Sequence, residues 1–231
     1  MAGTSLPLDG PILECDAPLE IGRSLWGPFH RLCLQAEAAG RSHIIRSGPF
    51  TTTPLPGGDL RIATTLHVPT ETGALRAELS LRRAASGEVL ETALTAPPGG
   101  DAEAAAALAA MQAGLVQPAG GFLCRQALRT GEMVALATAG AGAMPLLGRV
   151  LGRSHHLGRA VLVLRCAGTQ AVSEPGWDGM LVAEGHVAVD IATGMVILSA
   201  LTCRLAGAEA PLAEIRLQAW VTLRQDVAAA A

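Results

Sequence analysis

Leu60-Arg-Ile-Ala-Thr-Thr-Leu-His-Val68 reads as a β-strand. Leu60, Ile62, Thr64, Leu66 and Val68 fall on one side of a period-two pattern, and Arg61, Thr65 and His67 on the other. The alternation returns in residues 75–83, where Leu75, Ala77, Leu79 and Leu81 oppose Arg76, Glu78, Ser80 and Arg82. Ala85-Ser-Gly-Glu88 supplies a turn and Val89–Thr95 a third run, so this stretch predicts an antiparallel meander.

The second half follows the same plan. Residues 160–166 are apolar at successive positions, which predicts a strand buried on both faces. Gly185–Ile191, the turn Ala192-Thr193-Gly194 and Met195–Leu205 predict a hairpin. Glu214–Leu223 sets Ile215, Leu217, Ala219 and Val221 against Glu214, Arg216, Gln218 and Trp220, and predicts a final strand.

The two halves echo each other. Residues 85–96 and 192–203 are identical at six of twelve positions, at an offset of 107. Gly40-Arg41-Ser42-His43 recurs as Gly152-Arg153-Ser154-His155, at an offset of 112. Gly87 and Gly194 align in the echo, as turns with positive φ require. The expectation is a duplicated chain whose halves meet at a pseudo-two-fold seam, where a site belongs.

Between them, Asp101 is a good N-cap for an alanine-dense helix with Leu108 and Met111, stopped by Gly114. Residues 26–39 are ambiguous, because Pro28 and flanking glycines weaken a helix. The predicted fold is mainly β: internally duplicated antiparallel meanders, as two packed sheets or an open curved barrel, with one connecting Ala-rich helix. The divisions are 1–100 for the first β repeat, 101–116 for the helix, 117–226 for the second repeat and 227–231 for a tail, all within one compact unit.

Composition excludes several chemistries. Half the chain is hydrophobic, only 16% is charged, and the formal net charge is −3 with no basic run, which argues against nucleic acid as a partner. The chain has no Lys, Asn or Tyr. That removes the phosphate-loop lysine, Schiff-base chemistry and N-glycosylation. No apolar run reaches the ~18 residues of a membrane-spanning helix. Met1–Leu8 has no signal-peptide pattern, so the expected compartment is the periplasm or envelope if a leader has been removed, and the cytoplasm otherwise. The five cysteines make no C-x-x-C pair. Cys166 and Cys203 lie in strand-like runs, as buried free thiols or as a disulfide.

The paired Arg-Ser-His motif is the leading candidate site. Residues i and i+2 share a face of a strand, so Arg41 pairs with His43 and Arg153 with His155. Under pseudo-symmetry the four converge on one carboxylate or phosphate; the alternative is a solvated strand opening at the sheet rim. His155 and His156 with His186, Glu184 and Asp190 are candidate metal ligands, but adjacent strand residues face opposite ways. The same objection meets Ser154 and His155 as nucleophile and base, and no G-x-S-x-G elbow exists. Gly140–Gly148 reads as a flexible connection, and Glu174–Gly179 as a turn-rich loop anchored by Trp177. No cofactor motif is present.

Gly131-Glu132 and Val189-Asp190-Ile191-Ala192-Thr193-Gly194-Met195-Val196 carry a resemblance. The second half resembles bacterial envelope β domains of unknown function, in which Gly-Asp starts one strand and a hairpin reads Val-Asp-x-x-Thr-Gly-x-Val. Glu132 departs from the usual Asp, and the aromatic residue that often follows is missing. The resemblance implies a secreted or periplasmic β-sheet protein without known catalysis, and carries over no site residue.

The expected function is a non-enzymatic carrier. A groove between the halves takes a small amphipathic ligand or lipid, with Arg41 or Arg153 holding an acidic head. The alternatives are an assembly subunit acting through a β-sheet interface, as a homo-oligomer, and an acyl-thioester enzyme of double hot-dog type, which needs a long buried helix in each half.

Overall fold

Alternation becomes strand wherever the chain is described. A computed structural model describes residues 6–22, 29–38, 41–70, 73–84, 89–95, 127–136, 146–174, 177–207 and 213–223. They hold β1 (Leu19–Glu20), β2 (Phe29–Ala38), β3 (Arg41–Ser47), β4 (Thr51–Pro54), β5 (Leu60–Thr70), β6 (Gly73–Arg83) and β7 (Val89–Thr95). Then follow β8 (Ala127–Leu128), β9 (Met133–Leu136), β10 (Leu146–His156), β11 (Arg159–Glu174), β12 (Trp177–Asp190), β13 (Val196–Gly207) and β14 (Ala213–Leu223). One 3-10 turn, Pro56–Gly58, is the only helical element among the described residues. The predicted Ala-rich helix lies outside them.

The pairing is antiparallel throughout. Twelve strands form one sheet in the order β7-β6-β5-β3-β2-β14-β13-β12-β11-β10-β9, with β4 beside β5, and β1 and β8 form a separate pair. The path runs from β9 inward to β14, crosses to β2 and continues outward to β7. The sheet is not closed into a barrel: β7 and β9 end the path. Residues 29–38, ambiguous in sequence, are a strand, and β14 pairs with it at the centre.

Register sorts the side chains onto two faces. The apolar face carries Leu79 and Leu81 of β6, Ile62 and Leu66 of β5, Ile45 of β3, Leu201 of β13, Val187 and Val189 of β12, Leu162 and Leu164 of β11 and Val150 of β10. The opposite face carries Arg82, Arg76, Arg46, Arg216, Glu184 and Arg165, all exposed. One buried cluster joins Ile45, Ile62, Leu66, Leu79 and Leu81 with Met195, Ile197 and Val221, and with Val161, Val163, Ala188 and Ala200, which lie on the Arg165 face of β11–β13; Leu162, Leu164, Val187 and Leu201 belong to a second cluster. Complete burial of five Leu or Ile side chains is worth on the order of 10 kcal/mol as an upper bound. As predicted, β11 is buried on both faces: Val161, Leu162, Val163 and Leu164 have no more than 1% exposure.

The second face of β11, Val161 and Val163, shares its buried cluster with Ile45, Ile62, Leu66, Leu79 and Leu81 of the first half, and residues 6–22, which we term the strap, contribute to the cover of both faces. Leu6 and Leu8 pack in the same cluster as Val161 and Val163. The strap then follows the edge of β10. Asp9 N donates to His155 O at 2.9 Å, and Leu13 and Arg153 exchange two backbone hydrogen bonds of 2.8 Å. Ser154 Oγ donates to Gly10 O (2.9 Å), and His156 Nδ1 donates to Pro7 O (2.9 Å), which places a proton on that nitrogen. Cys15 N donates to Thr130 Oγ1, β1 pairs with β8, and Gly22 N donates to Ile191 O. There Ile21, Leu19, Cys15 and Leu128 cover Leu162, Leu164 and Val187.

Two expectations change. The second Gly-Arg-Ser-His does not open a strand: it follows a β-bulge between Val150 and Gly152, inside β10. Before the bulge β10 pairs with β9, and after it with the strap, so the bulge divides the edge between two partners. Gly152 has φ 147, and a Cβ there would collide with Leu13 O, so the strap requires glycine at this position. The first copy does open β3 at Arg41. The Glu174–Gly179 loop is also corrected: Glu174 pairs with Trp177 at the end of a hairpin.

Gly152→Ala is expected to loosen the strap at about 1–3 kcal/mol of global stability. Urea unfolding measures the loss, and hydrogen exchange at the Leu13 and Arg153 amides should accelerate more than at Leu164.

Candidate functional site

Side-chain size varies sharply along the apolar face. Toward the Arg41 end of β3, one row of directly opposed residues runs Gly148, Cys166, Gly185, Leu201, Leu217, Ala36, His43. The next row runs Gly168, Ala183, Cys203, Ile215, Ala38, Arg41. Small residues therefore fill most positions of two adjoining rows, where the rest of the face carries Leu, Ile and Val. Missing side chains lower the floor of a sheet; Cys166, Ala183 and Cys203 of this floor are buried in one cluster with Ile21 and Leu128, and a Cβ on Gly185 would collide with Ala200 O. Leu181 and Leu217 on this face are only partly buried.

The four predicted residues occupy one face by register but not one place. His43 and Arg41 close the two small-residue rows on β3. Arg153 stands opposite Leu162 and His155 opposite Ala160, toward the other end of β11 from Cys166. Five strands lie between β3 and β10 in the sheet order. Four residues of β11, Leu162 to Cys166, also separate the rows, about 13 Å along the strand. The hydrogen-bonded sheet thus brings together each pair, and does not bring the pairs together. Arg153 and His155 are exposed at the strap edge, while Ser154 and His156 between them are buried in strap contacts.

Asp190 has a different task. Its carboxylate is 1% exposed and accepts two hydrogen bonds from Arg159, at 2.7 and 2.9 Å, plus the Thr193 amide (3.0 Å) and hydroxyl (2.6 Å). The Gly194 amide donates to Asp190 O (2.8 Å), and Gly194 has φ 73, the positive value expected from sequence. The Val-Asp-x-x-Thr-Gly pattern is therefore a turn in which a buried carboxylate is satisfied by an arginine and the turn itself. The hydrogen bond to Asp190 raises the Arg159 pKa above its usual value. Sequence reading missed Arg159, because no spacing rule links residues on different strands.

The weighed metal cluster does not assemble: among the described residues no group of three or more His, Cys, Asp or Glu gathers to hold an ion. Ser154 and His155 face opposite sides of β10, as their alternating burial shows. Cys15, Cys33, Cys166 and Cys203 are free thiols. β12 lies between Cys166 and Cys203, a separation of about 9.6 Å across two strand spacings, beyond the reach of a disulfide. Burial pushes the Cys166 thiol up to about 12 and the Cys203 thiol up to about 11. Desolvation also raises the Cys33 thiol, opposed by Arg46 and Arg31.

No family model, curated protein or solved structure matches this chain.

The thiols have a pH consequence. Unfolding exposes groups that ionise above about pH 9 and that stay protonated in the folded chain until about 11 to 12. Between those values the unfolded state binds fewer protons, so stability should fall as pH rises through that window. Cys166→Ala with Cys203→Ala should flatten the fall in chemical-denaturation profiles. Asp190→Ala should cost about 3 kcal/mol, because Arg159 loses its buried partner.

Proposed function

We propose that this protein is a non-enzymatic carrier for a small amphipathic ligand, held on the small-residue floor of the apolar face. One observation carries the reading: Gly148, Cys166, Gly168, Ala183, Gly185 and Cys203 occupy adjoining register positions on an otherwise bulky apolar face. An acyl chain or a flat apolar ring would pack by dispersion on this face where Leu181 and Leu217 are part-exposed. Arg41 and His43, which end the same rows, supply cations for a carboxylate or similar acidic head. Arg153 and His155 serve the strap edge and take no part in holding the head.

A second reading, an assembly subunit, draws on the sheet edge. Met133 and Leu147 of β9 and β10 are 60% and 55% exposed beside the last strand of the path.

Native mass spectrometry of the purified protein, with solvent extraction of whatever it releases, tests the carrier directly. A bound amphiphile supports it, and an empty protein forming a defined oligomer favours assembly. With a fluorescent fatty acid as probe, Arg41→Ala should weaken binding about tenfold or more while thermal stability stays nearly constant. Equal affinity in wild type and variant would sink the role of Arg41.

A further inference from the structure

The polar face of the sheet carries an arrangement that stability alone does not favour. Arg149 of β10 stands directly opposite Arg165 of β11, and Arg165 directly opposite His186 of β12. Like charges opposed across strands are destabilising. At the β12–β14 end of this face, charge is compensated. Arg204 bonds Glu184 at 2.9 Å and Glu214 at 3.4 Å, and Arg216 bonds Glu214 at 3.2 Å. Among the described residues, neither Arg149 nor Arg165 has an ion-pair partner, although both are exposed. The nearest acid on this face by register, Glu184, is already engaged by Arg204.

A second observation falls on the same row. Nδ1 of His186 is buried and has no hydrogen-bond partner, alone among the buried side-chain nitrogens and oxygens of the described residues. An orphaned buried ring nitrogen is destabilising, and a chain tolerates it where something else completes the bond. Two planar guanidinium forks and an imidazole therefore line three neighbouring strands at a spacing of about 4.8 Å.

We propose that Arg149, Arg165 and His186 form a site for a tetrahedral oxyanion of the phosphate class. A carboxylate has two oxygens; a phosphate offers an oxygen to each of three donors. The site lies on the face opposite the small-residue floor and is independent of the carrier reading. The oxyanion comes free in solution or as the head of an anionic lipid.

A similar row, Arg76, His67 and Arg46, crosses β6, β5 and β3 and serves as the internal control. It has no orphaned nitrogen, and Glu78 stands two residues from Arg76 on its face. The experiment is an inorganic phosphate titration followed by backbone amide NMR, against sodium chloride at equal ionic strength. Saturable shifts confined to β10–β12 are expected. Arg149→Gln with Arg165→Gln should weaken phosphate binding about tenfold or more, whereas Arg153→Gln, loss of one arginine charge on β10 outside the row, should leave it unchanged. The double variant should also melt no lower than wild type without phosphate, since it relieves the opposed charges. Equal shifts at both rows, equal loss from Arg153→Gln, or a binding curve matched by chloride overturns the proposal. Vesicles of phosphatidylglycerol against phosphatidylcholine then distinguish the sources: Arg-dependent binding to the first alone assigns a lipid head, and binding to neither assigns free phosphate.

Discussion

The ladder between β14 and β2 makes this chain one sheet. Every other long pairing joins strands that are near neighbours in sequence, as a meander requires. Only β14 and β2 bring residues 213–223 against residues 29–38, and they do so at the centre of the path. Without that ladder the six strands β9–β14 and the six strands β2–β7 are separate meanders, each with an extra open edge. With it, one hydrogen-bonded path runs from β9 to β7, and the apolar residues of β3, β5 and β6 share a buried cluster with Val161, Val163 and Ala188 of β11 and β12. The small-residue rows run across this ladder, from Leu217 to Ala36 and from Ile215 to Ala38, so the proposed site depends on it too. The ladder's loop is the longest of these pairings, so its closure carries the largest entropic cost.

The strap solves a different problem. A strand edge exposes unpaired amides and carbonyls. β10 spends its first part on β9 and its second on the strap, and the bulge before Gly152 changes which side chains turn inward. Ser154 and His156 are buried because the strap supplies carbonyls for them, at Gly10 and Pro7. The repeated Gly-Arg-Ser-His thus has a packing explanation in its second copy. The described strands place the first copy at the opening of β3, a different local setting, and so do not establish that the two halves are duplicates.

Much of the fold was legible because alternation is a local signal. Ile62, Thr64 and Leu66 are buried and Arg61 is exposed, as their period predicts. Gly194 was legible for the same reason, since a tight turn needs positive φ within a few residues. What failed was non-local. Phe29–Ala38 gave no clean pattern because it is a central strand whose neighbours are chosen by tertiary pairing. Arg159 could not be assigned to Asp190, nor Arg149 to Arg165, without register. Spacing of i and i+2 put Arg41 with His43 and Arg153 with His155 on one face of a strand, but could not give the distance between the pairs, because that is a property of the whole sheet.

The central pairing is open to a direct test. Gln35 and Gln218 are directly opposed across β2 and β14, at a Cα separation of about 5 Å for an antiparallel pair, within disulfide range. Gln35→Cys with Gln218→Cys, oxidised mildly in the folded protein and mapped by peptide mass spectrometry, should yield an intramolecular bond between these two positions in high proportion. A folded monomer in which both new thiols stay reduced, or in which each links instead to another molecule, would contradict the single continuous sheet.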